Sequence, residues 1–353
     1  MTIIFGILLF SFLIFIHELG HFLAAKASGV RVNEFAMFMG PAIIKKQVGE
    51  TLYSLRCIPI GGYCAMEGEN EDTDDPHSFQ KAAWWKRLVI LVAGSFMNLL
   101  TGVVIFAILI LPAKQIVEPA MVEFQDCCIF CHQDGLQVGD VVVELDGEKI
   151  YTNPNISTIL TLNPKVEHDI TVLRDGKKIT FENLEMAHTH TDENGQEYLH
   201  YGFSYGQAKD VNFLGKLDYV RRITFDNVRS VRLSLQMLLS GQAGLSDMTG
   251  PVGIVQIMND SAQQAESRNE AFQNMLYIGG FLAINLAIMN MLPIPALDGG
   301  RVVGLLLTVA IEKITRKKLD AKYEGYIHGI GMVLLLILMA VILFKDVFMI
   351  FKR

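Results

Sequence analysis

Hydrophobic positions in this chain gather into four long runs. Ile3 to about Ala25, Leu88 to Leu111, about Met275 to Leu292 and about Tyr326 to Phe344 each approach the ~20 mostly apolar residues needed to cross the hydrocarbon of a bilayer. The first and third runs are interrupted by polar residues. Between the second and third, the pattern shortens. "DVVVELDGEKI" alternates, and "DITVLRDGKKITFENL" reads as a hairpin with Asp175-Gly176 at its turn. Over residues 209–240 the period becomes helical. Leu217, Val220, Val228, Val231, Leu235 and Leu238 recur on one face, with Arg221, Arg222, Arg229 and Arg232 off it. Such a helix either rests on the membrane surface or packs on the small domain before it. Between the first two runs, "TLYSLRCIPI" is extended and Gly61-Gly62 is a turn, while "NEDTDDPHS" is a solvated acidic loop.

The pattern predicts a polytopic α-helical membrane protein with four transmembrane helices and one extracytoplasmic β-rich domain. The expected division is a first transmembrane helix over 1–25, a cytoplasmic loop with a β-hairpin over 26–87, and a second transmembrane helix over 88–112. An outer β-rich domain over 113–208 follows, then an amphipathic helix and linker over 209–272. The third transmembrane helix covers 273–300, a cytoplasmic loop 301–325, and the fourth helix with its tail 326–353. Sidedness comes from basic residues near the helix ends. Lys26, Arg31, Lys45, Lys46, Arg56, Lys81, Lys86 and Arg87 fall in the first loop, and Arg301, Lys313, Arg316, Lys317, Lys318 and Lys322 in the last. Both loops are therefore expected in the cytoplasm, with both termini and the outer domain outside. The N-terminal run lacks a basic leader and a small-residue cleavage site, so it reads as a retained helix.

Composition agrees: 51% of residues are hydrophobic and the mean hydropathy is +0.34, which favours a membrane setting. The net charge of −7 argues against a nucleic-acid partner. The five cysteines, Cys57, Cys64, Cys127, Cys128 and Cys131, are odd in number and unevenly spaced, unlike a disulfide framework.

The first apolar run carries "HELGH" at 17–21. His17 and His21 are i and i+4, so on a helix their rings leave one face and can bind one zinc ion. Glu18 lies within reach of a metal-bound water as a general base. Ionisable groups at this depth cost several kcal/mol and are functional by default. A catalytic zinc usually takes three protein ligands, and Asp298 in "NMLPIPALDGGR" is the best candidate for the third. Pro293 and Pro295 break the third helix there, and irregular backbone at membrane depth is tolerated only where it lines a cavity. Depth agrees. At about 1.5 Å per residue, His17 lies about 20 Å into a ~30 Å core, and Asp298 follows a third helix that also runs from outside to inside. The polar residues Asn98, Asn285 and Asn290 also fall inside apolar spans. Asn285 reads as interhelical glue, whereas Asn290 is placed to hydrogen-bond a substrate backbone.

Together these residues resemble the site-2 protease family of intramembrane zinc metalloproteases, most closely its bacterial members that act in regulated intramembrane proteolysis. "HELGH" matches H-E-x-G-H, and "NMLPIPALDGG" (290–300) fits N-x-x-P-x-P-x-L-D-G-G throughout. "GPVGI" (250–254) and "WWKRLVILVAG" (84–94) also look like family segments. The resemblance implies His17, His21 and Asp298 as zinc ligands, Glu18 as base and Asn290 as a substrate-backbone contact. "DGLQVGDVVVELDGEKI" (134–150) resembles a PDZ segment, with room for one such module, which would contact a substrate ectodomain or C-terminus or block bulky ones. Ser95 stands where relatives often have proline before Asn98, and "CCIFCHQD" (127–134) departs from the usual approach to the PDZ segment. The implied substrates are single-pass membrane proteins already trimmed outside, such as anti-sigma factors, or signal-peptide remnants. The implied place is the bacterial inner membrane. An intact helix hides its amides, so a substrate must unwind first. The extended backbone at 51–64, with Gly62, is then a candidate substrate contact by β-addition, and Asn98 is a further substrate-binding candidate whose other reading is interhelical glue.

Other clusters carry less. Cys127, Cys128 and Cys131 with His132 read as a thiol cluster before a second metal site. His188, His190 and His200 lie in a polar, turn-rich stretch and read as solvated. Two other function classes remain at this stage. A metal-ion transporter is opposed by the absence of repeated halves. A catalytically inactive PDZ-bearing scaffold would require loss of a ligand or base, and none is missing.

Overall fold

A computed structural model of the chain describes residues 2–69, 73–124, 135–191, 197–241, 244, 250–316 and 321–352. The cysteine cluster at 127–131 and His132 lie outside them. The chain forms two compact units, one of Met1–Ile105 with Ala243–Arg353, the other of Phe106–Gln242.

The first unit is built on helices. Among the described residues, four helical stretches are long and apolar enough to cross a membrane: Ile4–Ser28, Trp84–Ile110, Arg268–Asn290 and Gly329–Asp346. The first belongs to α1 (Thr2–Ser28), the second is α2 (Trp84–Ile110). Between them lie β1 (Val32–Val48) and β2 (Thr51–Met66). Their ladder is bulged throughout. Residues Glu34 to Met37 of β1 have Cα partners both at Leu52 to Leu55 and at Gly62 to Ala65. The two long strands thus fold back into what is in effect a four-stranded sheet. Positive φ at Phe38, Gly40 and Gly61 places the reversals. Val32, Phe35, Cys64 and Met66 of this sheet share a core with Ala25 of α1, and with Ile90 and Leu91 of α2.

The rest of this unit comes from the C-terminal third of the chain. It comprises α5 (Pro251–Gln264), α6 (Arg268–Asn290), α7 (Asp298–Thr315) and α8 (Ala321–Lys352), the numeral α4 belonging to the other unit. The Ser267 side chain caps α6 by accepting from the Glu270 amide at 3.1 Å. Leu9 and Leu13 of α1, Met258 of α5 and Ala283 of α6 form a second cluster. On α8, the buried Asp346 carboxylate accepts from the Gly253 amide at 3.1 Å. A carboxylate at a helix N-terminus satisfies an orphan donor and suits the dipole, so the buried charge beside the long apolar run of α8 is accommodated.

Two expectations change here. Segment 301–325, read as a loop, is helical as far as Thr315. Arg301, Lys313 and Arg316 sit at the ends of α7, while Leu305 is buried and Val302 and Val309 pack against the same core, a 3–4 spacing on one face. The linker after residue 240 contains α5, whose polar Asn259, Asp260, Gln263 and Gln264 dilute the apolar signal.

The second unit holds the β-rich region. It contains β3 (Gln115–Phe124), β4 (Val141–Leu145), β5 (Glu148–Lys149), α3 (Asn153–Leu162), β6 (Glu167–Arg174), β7 (Lys177–Glu185), β8 (His188–Thr191), β9 (Glu197–His200), β10 (Phe203–Asp210) and α4 (Phe213–Ser240). The main sheet runs β10-β3-β4-β6-β7 with β5 on β4, and β8-β9 is a separate two-stranded sheet. Asp175 and Gly176 both have positive φ in the predicted β6–β7 turn. A capping box between Thr152 and Asn155 starts α3. Ile156 and Ile159 of α3 are buried against Val142, Leu145, Ile170 and Val172, each contributing roughly 1.5–3 kcal/mol.

Of the two placements predicted for the arginine-rich helix, the structure has it on the domain. Asp226 of α4 accepts hydrogen bonds from Thr152 Oγ1 and Asn155 Nδ2. Arg232 pairs with Glu148 at 2.7 Å, and Arg229 donates to the Lys149 carbonyl. The helix starts later than expected, at Phe213, because residues up to Asp210 complete the sheet as β10.

Candidate metal centre

His17 and His21 lie on α1, Asn98 on α2, Asn290 at the end of α6, and Asp298 at the start of α7. The side chains meet inside the first unit. His17 Nε2 is 3.1 Å from Asp298 Oδ2 and His21 Nε2 is 3.3 Å from the same oxygen. The two imidazole Nε2 atoms are 3.2 Å apart. Among the described residues this is the one group of three or more His, Cys, Asp or Glu with ligand atoms close enough to share an ion.

That triangle can be tested against a metal. A tetrahedral ion with ligands at ~2.0–2.1 Å sets neighbouring ligand atoms about 3.3–3.4 Å apart. The observed edges fall within a few tenths of that spacing. Two imidazoles are buried, and Asp298 Oδ2, itself buried, has no hydrogen-bond donor of its own. Three acceptor atoms converging without donors among them is costly unless a cation lies between them. The residues therefore fit a divalent metal with two neutral nitrogens and one carboxylate.

The tautomers follow from the outer contacts. His21 Nδ1 donates to the Ile90 carbonyl at 2.8 Å, which leaves the Nε2 lone pair facing the cluster. His17 Nδ1 lies 3.3 Å from Asn98 Nδ2, while Asn98 Oδ1 is buried without a partner. Amide oxygen and nitrogen are assigned by their surroundings. Exchanging them lets the Asn98 oxygen accept from His17 Nδ1–H and frees His17 Nε2 for the ion. Asn98 is 0% exposed, so its own hydrogen bonds must be made inside the protein.

Local sequence explains the approach of these elements. Pro293 and Pro295 end α6, and the chain from Met291 to Leu297 turns over the start of α7. A Cβ at Gly299 would overlap the Met291 and Leu292 carbonyls, and one at Gly300 the Ile294 carbonyl. The "DGG" run thus lets the backbone fold onto itself beside Asp298. One turn on, Arg301 is ion-paired with Glu69, just after β2, which fixes the α7 N-terminus to the sheet.

Of the other predicted residues, Asn290 Nδ2 is 3.5 Å from His17 Nε2. A Cβ at Gly62 of β2 would lie 3.5 Å from Glu18 Cγ and 3.1 Å from the Ala36 carbonyl. Asn98 and Asn290 therefore border the cluster, Glu18 interacts electrostatically with all three of its residues, and Gly62 lies against Glu18. Gly94 was not foreseen. A Cβ there would overlap His21 Nε2 and His17 Cε1, and one at Gly20 of α1 would overlap the Ala93 carbonyl. Helices α1 and α2 cross backbone to backbone at this pair. The run Ala93-Gly94-Ser95 inside an apolar span was the available signal, since small residues mark close crossings in membranes.

The family model for Peptidase family M50 matches residues 5–338. A Clostridium acetobutylicum protein bearing a zinc-metalloprotease name is 34% identical over 346 residues, 98% of this chain and 97% of its own length. A similarly named protein of Fusobacterium nucleatum is 32% identical over 364 residues, covering both chains fully. The regulator of sigma-W protease RasP of Bacillus subtilis is 27% identical over 428 residues, 98% of each chain.

Proposed function

The chain belongs to peptidase family M50 and is a metalloprotease, and from that premise we propose that it is a zinc-dependent endopeptidase cleaving single-pass membrane proteins within or near their transmembrane segments. The observation that carries this is the triangle of His17, His21 and Asp298, with edges of 3.1–3.3 Å, flanked by Glu18 and formed where four apolar helices are available to span a bilayer.

His17, His21 and Asp298 hold the metal. Zinc, when bound there, supplies Lewis acidity and brings the pKa of water down to about 7. Glu18 accepts the proton of the attacking water and delivers it to the leaving amine. Asn98 and the Ile90 carbonyl keep both imidazoles in the tautomer that presents Nε2. Asn290, at the border of the cluster, orients the substrate backbone. A substrate must present an unwound strand, and β2 around Gly62, next to Glu18, offers backbone for β-addition.

The substrate class is that of anti-sigma-factor-like proteins and signal-peptide remnants, consistent with the sigma-W name of the Bacillus subtilis relative. The protein sits in the bacterial inner membrane with both termini and the β-rich unit, a single PDZ-like module, outside. That module contacts the substrate ectodomain or C-terminus. The transporter and inactive-scaffold readings are not favoured, because the family is a peptidase family and each hydrolytic residue is present.

The test is Glu18→Gln in native membranes. Turnover of small membrane fragments is expected to fall by about 10²–10⁴-fold, with zinc content unchanged. Cleavage at the wild-type rate would overturn the proposal.

A further inference from the structure

Sheet β8-β9 places three imidazoles on one face. His188 and His190 are two apart on β8, so both side chains leave the same side. His200 of β9 is the Cα partner of His188, and Tyr198 of His190, and directly opposed residues in an antiparallel pair share a face. Two of the three imidazoles are in contact. His190 and His200 lie 5.2 Å apart, edge to face, and His190 stacks on Tyr198 at 6.0 Å. Inside this face, His188 Nε2 is buried and has no hydrogen-bond partner. The contrast is His168 in the same unit, whose nitrogens are committed to Asp146 at 2.8 Å and the Lys165 carbonyl at 2.9 Å.

Two imidazoles at i and i+2 with a third on the neighbouring strand form a donor set suited to Zn²⁺, Cu²⁺ or Ni²⁺. We propose that His188, His190 and His200 form a second transition-metal site, which staples β8 to β9. His190 and His200 now stand edge to face, and the exposed His190 is free to turn so that the nitrogens converge.

The physical need for a staple is plain. A two-stranded hairpin on its own is marginally stable in water, and β8-β9 pairs with no other strand of the described residues. Thr189, Tyr198 and Leu199 of this hairpin form one wall of a cleft of about 670 Å³, with Leu160 of α3 and Tyr201, Phe203 and Tyr205 among its other lining. An ion bridging the strands would hold that wall in place, because crosslinking two strands removes their independent opening.

The experiment uses the purified full chain in detergent, equilibrated at micromolar free Zn²⁺, with bound metal counted by elemental analysis. Wild type and a His77→Ala control should each hold one equivalent more than His188→Ala and His190→Ala. Zinc should also slow hydrogen exchange of the β8 and β9 amides in wild type and not in His190→Ala. Equal metal content in wild type and the two variants would overturn the proposal, as would zinc-independent exchange of the hairpin. His190 is exposed, so its loss leaves the core intact. Loss of the other equivalent in Asp298→Asn reports on the proposed catalytic metal separately, so the two readings fail independently.

Discussion

Gly94 illustrates how closely a single side chain can govern a site. Its missing Cβ is the space that His21 Nε2 and His17 Cε1 occupy. Adding one methyl group must move α2 away from α1 or push the imidazoles out of register with Asp298. Ligand geometry tolerates only ~0.2 Å. Gly94→Ala is therefore expected to lower zinc affinity by at least the 10–100-fold typical of lost support around a ligand, while folded helix content by circular dichroism stays near wild type. Competition with a zinc-binding dye measures it, and undiminished affinity would contradict the crossing geometry. Asn98 acts by a different route, through the proton on His17 Nδ1, and no steric overlap is involved.

At the scale of elements, the β4–β5 turn shows how charge supports the β-rich unit. Asp146, at φ 50°, accepts from His168 Nδ1 at 2.8 Å and the Asp169 amide at 3.1 Å, and pairs with Lys165 at 2.9 Å. Burial by itself would raise its pKa, but His168, Lys165 and the Asp169 amide together hold it below the ordinary 3.8. A depressed carboxylate contributes stability in full above its unfolded value and loses it as pH falls through the folded value. Protection of the Asp169 amide, corrected for intrinsic exchange, is thus expected to be complete above the ordinary carboxylate range and to fall as the pH drops below it. In Asp146→Asn that dependence should vanish. A variant retaining the full acid dependence would place the effect elsewhere. The same scale shows why α7 was hidden. Arg301, Lys313 and Arg316 suggested a loop, yet they bracket a helix whose apolar positions, Val302, Leu305 and Val309, only make sense once a core is there to receive them.

For the molecule as a whole, the two units carry separate cores. The proposed catalytic metal joins α1 to α7 in one of them. Ligand binding to the native state alone stabilises by about 2.7 kcal/mol at a hundredfold excess over Kd. Removing that metal by Asp298→Asn is expected to lower the unfolding temperature of the helical unit and leave hydrogen exchange at Val142 and Val172, in the β-rich unit's core, unchanged. Equal loss of protection in both units would show that the metal stabilises more than the helices that hold it.

Much was written in local pattern. Apolar runs long enough to span a bilayer, the i, i+4 histidines and the Asp175-Gly176 turn depend on the sterics and periodicity of adjacent residues, and each has its counterpart in the structure, although the third helix, expected over 273–300, runs from Arg268 to Asn290 and leaves Asp298 to start α7. The break after α6 belongs here too, because a proline removes a backbone donor whatever surrounds it. Tertiary structure decided the rest. Only packing could bring Asp298 within 3.1–3.3 Å of both imidazoles, select the face of α4 that docks on the domain, and reveal that Gly94 had to be bare. It also gathered three histidines, individually unremarkable in a polar stretch, onto one face of a hairpin. Distances between elements far apart in the chain are set by the shapes that pack between them, and no local periodicity encodes those shapes.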